Sequence, residues 1–200
     1  MKNTMLLFIL LRGFVLFAQG DSVLLDKNFN FTNGVYSSFA EMLQNSPKYR
    51  DVKFEVREGP LRVKTLYFYN DNSGIDKYDE PVFAIVQNGK MSVNFDYGFH
   101  KLILLGSIST FYIEHKKLQP TFSSGWGMHA QQNDTQADLY FLDLKTRSIE
   151  SLRYDAVDEV LKRDPMLYEK FLSVSKRKRK SMLYAYILEY NTRNPTYVRE

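Results

Sequence analysis

The spacing of apolar residues changes once along this chain, from a period of two to a period near 3.6, and the change falls at Tyr154. Before it, segments such as residues 52–58 alternate apolar and charged side chains, as a strand with one solvated face does. After it comes the apolar stripe of a helix, at Ala156, Val157, Val160 and Leu161. The chain is therefore predicted to be an α+β protein, with a mainly antiparallel sheet of six or seven strands over residues 51–153 and C-terminal helices packed on it.

Turn signals locate the first elements. Asn88-Gly89 lies between two apolar runs, and this dipeptide favours the type I′ turn of a β-hairpin. Ser38 and Glu41 have capping-box spacing, which predicts a short N-terminal helix that ends near Gln44. Residues 21–35 carry scattered apolar positions and are expected to form an irregular arm, and the polar residues 119–138 are expected to form a long loop.

Two or three helices are predicted in the C-terminal part. Asp164-Pro165 ends the first helix and begins the second, because proline is favoured in a first helical turn. The second helix is expected to bury Leu167, Phe171 and Leu172. The last helix is expected to end near residues 191–194 and to present an apolar face of Met182, Leu183, Tyr186, Ile187 and Tyr190.

The first twenty residues have the layout of a cleavable secretory signal. Lys2 precedes an apolar run of 13 residues, and Ala18-Gln19-Gly20 supplies the small residues of a cleavage site. The run is shorter than the roughly 20 residues of a membrane span, and Arg12 interrupts it, so a retained anchor is the weaker interpretation. We expect a protein exported to the periplasm or the cell exterior, with residues 21–200 as one domain that is sheet-rich over 21–153 and helical over 154–195.

Composition excludes several classes of protein. The chain has no cysteine, which removes disulfide frameworks, cysteine zinc sites and thiol nucleophiles. It also lacks a P-loop, a dinucleotide glycine fingerprint and an EF-hand loop, so no cofactor is expected. Residues 21–144 hold 12 basic and 15 acidic side chains, whereas residues 145–200 hold 13 and 8. The net charge of +4 is therefore not evidence for nucleic-acid binding; it reflects a basic C-terminal part and the two cations of the signal.

Several short motifs resemble those of a family of uncharacterised exported proteins from Bacteroidetes. They are Gly34-Val35-Tyr36-Ser37-Ser38-Phe39, Asn88-Gly89-Lys90-Met91, Gly98-Phe99-His100-Lys101-Leu102, Leu105-Gly106, Tyr140-Phe141-Leu142-Asp143-Leu144, Tyr186-Ile187-Leu188-Glu189-Tyr190-Asn191 and Asn194-Pro195. The chain departs from the family at Phe83-Ala84-Ile85, where members often carry a Gly-Tyr-Cys or Trp-Gly type stretch. The resemblance implies export and a single domain, and it carries no catalytic residue.

Few residues stand out as candidates for chemistry. Trp126, between two glycines, and His129 are candidate contacts for a ligand or partner, because an exposed Trp is a common binding anchor. The alternative is that Trp126 packs back on the sheet. Ser124, His129, Asp134 and Asp138 are the best constellation for a hydrolase, but G-x-S-x-G is absent. The three histidines are too dispersed for a predicted metal site.

The sharpest local feature is a run of five cations, Lys176-Arg177-Lys178-Arg179-Lys180. It predicts either a solvated helix turn or contact with an anionic membrane surface. Five adjacent helical positions point in all directions, and no aromatic residues are interleaved, so nucleic acid is not expected as a partner. The sequence as a whole favours a non-enzymatic exported protein, a binding or structural module with a protein or glycan partner. The alternatives are an unrecognised hydrolase and a peripheral membrane protein.

Overall fold

The computed structural model describes residues 22–59, 64–69, 75–122 and 128–199. The strands are β1 (Ser22–Leu24), β2 (Gly34–Tyr36), β3 (Tyr49–Arg50), β4 (Phe54–Glu58), β5 (Lys64–Tyr69), β6 (Ile75–Lys77), β7 (Ala84–Gln87), β8 (Lys90–Phe95), β9 (Gly98–Leu104), β10 (Ile108–Phe122), β11 (Met128–Asp143), β12 (Ser148–Ser151) and β13 (Tyr197–Arg199). The helices are α1 (Phe39–Leu43), α2 (Tyr154–Leu161), α3 (Pro165–Leu172), α4 (Lys176–Ser181) and α5 (Leu183–Arg193). Strand outweighs helix, 41% to 26%, which confirms the α+β class with its large antiparallel sheet.

The main sheet has eight strands in the order β12-β11-β10-β9-β8-β7-β2-β3, and every neighbouring pair is antiparallel. The predicted limits of the sheet, residues 51–153, were wrong at their start, because β2 and β3 precede residue 51. Val35 of β2 pairs with Ile85 of β7 and is fully buried, although β2 has only three residues. Strands β4, β5 and β6 form a separate sheet instead of joining the main one.

The hairpin predicted at Asn88-Gly89 is confirmed. The two residues have φ of +53° and +70°, as a type I′ turn requires, and Val86 pairs with Met91 across it.

The predicted loop over residues 119–138 was wrong. Strands β10 and β11 pair with each other along their whole lengths, with one register shift between Lys117 and Leu118. The neighbouring strands β9 and β12 pair only with the inner ends of this hairpin, so its outer half is a two-stranded ribbon. Backbone hydrogen bonds between the two strands form such a ribbon, so a polar sequence that is typical of a loop can adopt it.

The helical layer covers one end of the main sheet. Its core joins Ile108 of β10 and Phe141 of β11 to the predicted apolar faces of α2, α3 and α5. Leu172, predicted to be buried, is 47% exposed. It follows the buried Phe171 by one residue, about 100° around the helix, and α3 ends there.

The irregular arm predicted over residues 21–35 was wrong at its ends, where β1 and β2 form, whereas residues 25–33 contain no helix or strand. Strand β1 pairs with β13, with Val23 opposite Val198, so the two ends of the described chain meet. Leu25, Phe29 and Phe31 are buried in the larger core with the inner face of the main sheet. Each of these apolar residues is isolated in the sequence, and only tertiary packing unites them.

The tight turn between β9 and β10 joins the sheet to the last helix. The side-chain amide of Asn191 donates to the carbonyl of Ile108, and its Oδ1 accepts from the Ile108 N–H, both at 2.8 Å. Gly106 makes room for this contact, because a Cβ there would lie 2.6 Å from the Asn191 side chain. Asn191 therefore hydrogen-bonds Ile108 much as a neighbouring strand would.

Replacement of Asn191 tests how much its two hydrogen bonds to Ile108 contribute to stability. In Asn191→Ala both backbone groups of Ile108 lose a partner, and an unsatisfied buried polar group costs about 1–3 kcal/mol. We expect the variant to lose about 2–3 kcal/mol of unfolding free energy and roughly 5–10 °C in Tm. Thr192→Ala, which alters the neighbouring exposed side chain, is the control, expected to stay within about 0.5 kcal/mol. Equal melting temperatures for the two variants would contradict the stabilising role of the Asn191–Ile108 hydrogen bonds.

Candidate functional site

A cleft of about 690 Å³ opens where the small sheet formed by β4, β5 and β6 approaches strands β9 and β10. We call it the Tyr97 cleft. Strands β4 and β5 contribute Glu58 and Lys64, and the β8–β9 turn with strands β9 and β10 supplies Asp96, Tyr97, Gly98, Phe99, His100, Lys101, Ile103, Tyr112, Ile113, Glu114 and His115. Its volume lies within the range of small-molecule sites.

Tyr97 occupies a strained turn at the mouth of this cleft. Asp96 and Tyr97 form the two-residue connection between β8 and β9, with φ of +46° and +61°. A left-handed conformation costs a non-glycine residue about 1–2 kcal/mol, and a bulky side chain is rarely found there. The carbonyl of Tyr97 accepts a 3.0 Å hydrogen bond from the Lys64 N–H, which ties the turn to the small sheet. The Tyr97 ring itself is 73% exposed, so core packing does not explain its presence.

His100 forms part of the floor of the cleft. Its ring stacks on Phe111 with a centroid distance of 5.7 Å, and its Nε2 lies 2.9 Å from the carbonyl oxygen of Phe95. Gly98 allows this placement, because a Cβ there would lie 3.0 Å from Nε2. Burial lowers the pKa of His100 below its ordinary value. The neutral ring is therefore favoured, which suits a structural floor residue.

The polar lining of the cleft carries charges of both signs. Three carboxylates, Glu58, Asp96 and Glu114, accompany the two ammonium groups of Lys64 and Lys101. At the rim, the His115 Nε2 lies 3.5 Å from Asp138 Oδ2, and both side chains are nearly half exposed. A pair this exposed contributes little to stability. The lining thus offers hydrogen-bond donors and acceptors without a strong excess of either charge.

Of the residues considered in the sequence analysis, His100 and His115 line this cleft, whereas His129 and Asp138 are not among its lining residues. Trp126 and Ser124 lie outside the described residues, and His129 lies in β11 with its backbone opposite Thr121. His129 and Asp138 are nine residues apart in one strand, which separates their backbones by about 30 Å. His129 and Asp138, two members of the hydrolase constellation, therefore do not meet in one cleft.

Sequence reasoning missed Tyr97, Ile103 and Tyr112, which are 73%, 49% and 49% exposed. The sequence offered one signal for this turn, because Asp96-Tyr97 forms a two-residue gap between two alternating segments. Asp and Tyr are, however, not the residues that usually occupy a type I′ turn.

The five cations of residues 176–180 fall in α4, and they are not equivalent. Arg179 donates a 2.8 Å hydrogen bond to the Tyr154 hydroxyl, and its guanidinium lies over the Phe171 ring at 5.2 Å. Lys176 lies over the Tyr154 ring at 5.6 Å. Arg179 therefore holds α4 against the helical core and is only partly exposed. Lys176 is exposed, and so are the remaining three, Arg177, Lys178 and Lys180.

Comparisons with protein-family models, with curated proteins and with solved structures found no match to this chain. The resemblance to exported Bacteroidetes proteins stays a prediction. None of the helices in the described part of the chain has the length and apolar character that a membrane crossing requires. Nor do the described residues contain a group of three or more His, Cys, Asp or Glu side chains placed to hold a metal ion.

The lowered pKa of His100 predicts how stability depends on pH. The unfolded chain takes up a proton at about pH 6.5, above the pKa of the folded site. The contribution of His100 is therefore complete above about pH 6.5 and declines as the pH falls from there toward the folded pKa. We expect the urea-unfolding free energy to decrease between about pH 7.5 and pH 5.5, and His100→Gln to remove part of that slope.

His115→Gln is the matched control, because His115 is half exposed and its replacement should leave the His100 contribution in place. An unchanged slope in His100→Gln would show that the floor of the cleft does not disfavour the imidazolium.

Proposed function

We propose that this chain is an exported, non-enzymatic binding protein and that the Tyr97 cleft is its ligand site. The ligand class that fits best is a neutral oligosaccharide. The N-terminal pattern supports export, since Lys2, a short apolar run and Ala18-Gln19-Gly20 follow the order of a secretory signal. The shape and lining of the cleft support the ligand assignment.

The single observation that carries the proposal is the strained, exposed Tyr97. A two-residue type I′ turn is accommodated best by Asn-Gly, yet here a tyrosine takes the second position at φ +61°. Local strain concentrates at functional sites, where the surrounding structure maintains it. The Tyr97 ring gains little from packing in the fold. Contact with a ligand would therefore account for a tyrosine at this strained position.

The chemistry of the lining favours a neutral, hydroxyl-rich ligand. Tyr97 and Tyr112 offer exposed aromatic faces for the apolar C–H face of a sugar ring. The carboxylates of Glu58 and Glu114 accept hydrogen bonds, and Lys64 donates them. A hydroxyl group both donates and accepts, so it can pair with either kind of side chain. A strongly charged ligand would meet like charges in this lining.

A hydrolase is the weaker proposal. The His115–Asp138 pair could orient a general base at the rim, but the lining residues that the structure describes include no serine, threonine or cysteine beside it. Half-exposed ion pairs of this kind are common on protein surfaces.

Export is tested by expressing the full chain in a Gram-negative host and sequencing the N-terminus of the protein that accumulates outside the cytoplasm. We expect the signal to be cleaved after Ala18 or after Gly20. A matched chain with Phe8 and Leu10 replaced by Asp should stay uncleaved in the cytoplasm, because the charges interrupt the apolar run. An intact N-terminus in the cytoplasmic fraction of the unaltered chain would contradict export.

Ligand binding is tested with neutral hexasaccharides of glucose, mannose and N-acetylglucosamine, by calorimetric titration. We expect at least one probe to bind, and Tyr97→Ala and Tyr112→Ala to weaken it at least about tenfold through loss of a stacking face. Tyr197→Ala is the control: Tyr197 is 58% exposed in β13 and is not among the cleft residues.

Tyr97→Gly separates the role of the ring from the role of the backbone. Relief of about 1–2 kcal/mol of strain outweighs the extra chain entropy of glycine, about 0.5–1 kcal/mol. This variant should unfold about 2 °C higher than the wild type and bind as poorly as Tyr97→Ala. Absence of binding to all three probes would overturn the ligand class, and undiminished binding by both Tyr97 variants would overturn the site.

A further inference from the structure

Helix α4 stands on the outside of the helical layer. It is six residues long, it has no buried residue, and five of its six side chains are cationic. Other cations of this layer are paired with acids, among them Lys162, Arg163, Lys170 and Arg193. Among the residues whose side chains the structure describes, no ion pair involves a cation of α4. The charge of α4 is therefore not neutralised by the molecule's own described surface.

The contacts of Arg179 fix which side of α4 faces outward. Successive residues of a helix are rotated by about 100°. If Arg179 defines the inward direction, Lys176 lies about 60° from it, which agrees with its position over the Tyr154 ring. Lys178 and Lys180 then lie about 100° from the inward direction, on opposite sides, and Arg177 lies about 160° from it. Three cations thus share the outward half of the helix.

Because Arg179 and Lys176 are held against aromatic rings, the run of five cations is not spread evenly around the helix. From the sequence alone the charge seemed dispersed in all directions. Lys176 is exposed as well, but it lies over Tyr154. The exposed cations of α4 that make no contact with a described ring form a patch of three residues, which we call the α4 patch: Arg177, Lys178 and Lys180. A fixed helix also loses less conformational freedom on binding than a mobile basic tail would.

We propose that the α4 patch binds an anionic phospholipid surface. A lipid headgroup layer attracts clustered point charges without requiring a complementary groove, and an outward-facing helix with no buried residue meets that condition. Charge complementarity is reinforced by the surrounding chain, because residues 145–200 hold 13 basic and 8 acidic side chains. Single-stranded nucleic acid would need exposed aromatic platforms. The rings that the cations of α4 contact do not offer one, because Arg179 and Lys176 cover Tyr154 and Phe171 is buried. This proposal is independent of the Tyr97 cleft.

The test is vesicle flotation with the protein that accumulates after expression of the full chain. Vesicles of phosphatidylcholine with about 30% phosphatidylglycerol are compared with pure phosphatidylcholine, at low salt and in 0.5 M NaCl. We expect binding to the anionic vesicles only, lost at high salt. Replacing Arg177, Lys178 and Lys180 by Gln should weaken the partition coefficient about a hundredfold, since each basic residue near an anionic surface contributes about fivefold.

The matched control replaces three other exposed lysines, Lys53, Lys90 and Lys145, by Gln and so lowers the net charge equally. It should bind within about threefold of the wild type if the patch, not the total charge, is responsible. Equal loss in both triple variants, or no loss in either, would overturn the proposal. Binding to dextran sulfate without binding to anionic vesicles would also overturn it, in favour of a soluble polyanion. Circular dichroism of each variant verifies that it is folded.

Discussion

The contact between the Asn191 side chain and the backbone of Ile108 joins the two halves of this fold. Strand β10 begins at Ile108, and α5 carries Asn191, so one amide links the sheet to the helical layer through two hydrogen bonds. The same turn is held by the segment after α5, because the Ser107 hydroxyl donates to the Asn194 carbonyl and lies 2.6 Å from the Thr196 hydroxyl. Displacement of the turn would expose the buried groups of both layers together.

Buried ion pairs form a second connection between the sheet and the helical layer. Arg163, just after α2, pairs with the buried Asp143 of β11 at 2.6 Å, while the next residue, Asp164, accepts hydrogen bonds from Arg193 and caps α3. The hydrogen bond from Arg193 holds the pKa of Asp164 well below its usual range. Asp164 therefore stabilises the fold above its ordinary pKa and loses this contribution as the pH falls below it. Two adjacent residues thus tie α2 to the sheet and α3 to α5.

Local sequence signals predicted the elements that depend on local physics. Asn88-Gly89 specifies its turn through positive φ, and Asp164-Pro165 caps and starts α3 at adjacent positions. The missed features depend on distant parts of the chain. Nothing near Val23 indicates its pairing with Val198, 175 positions away. The Tyr97 cleft was missed for a further reason, since a tyrosine at a left-handed turn position contradicts the local preference that sequence reasoning relies on.

The same contradiction makes Tyr97 informative. A residue in a strained conformation persists only where neighbouring interactions fix the backbone, and here the paired strands β8 and β9 and the Lys64 N–H do so. Glycine would satisfy those backbone interactions without the strain, so the fold does not need a tyrosine at this position. The core does not need it either, because the ring is largely exposed. What a tyrosine adds over glycine is an aromatic face and a hydroxyl at the mouth of a cleft, and both serve recognition better than folding.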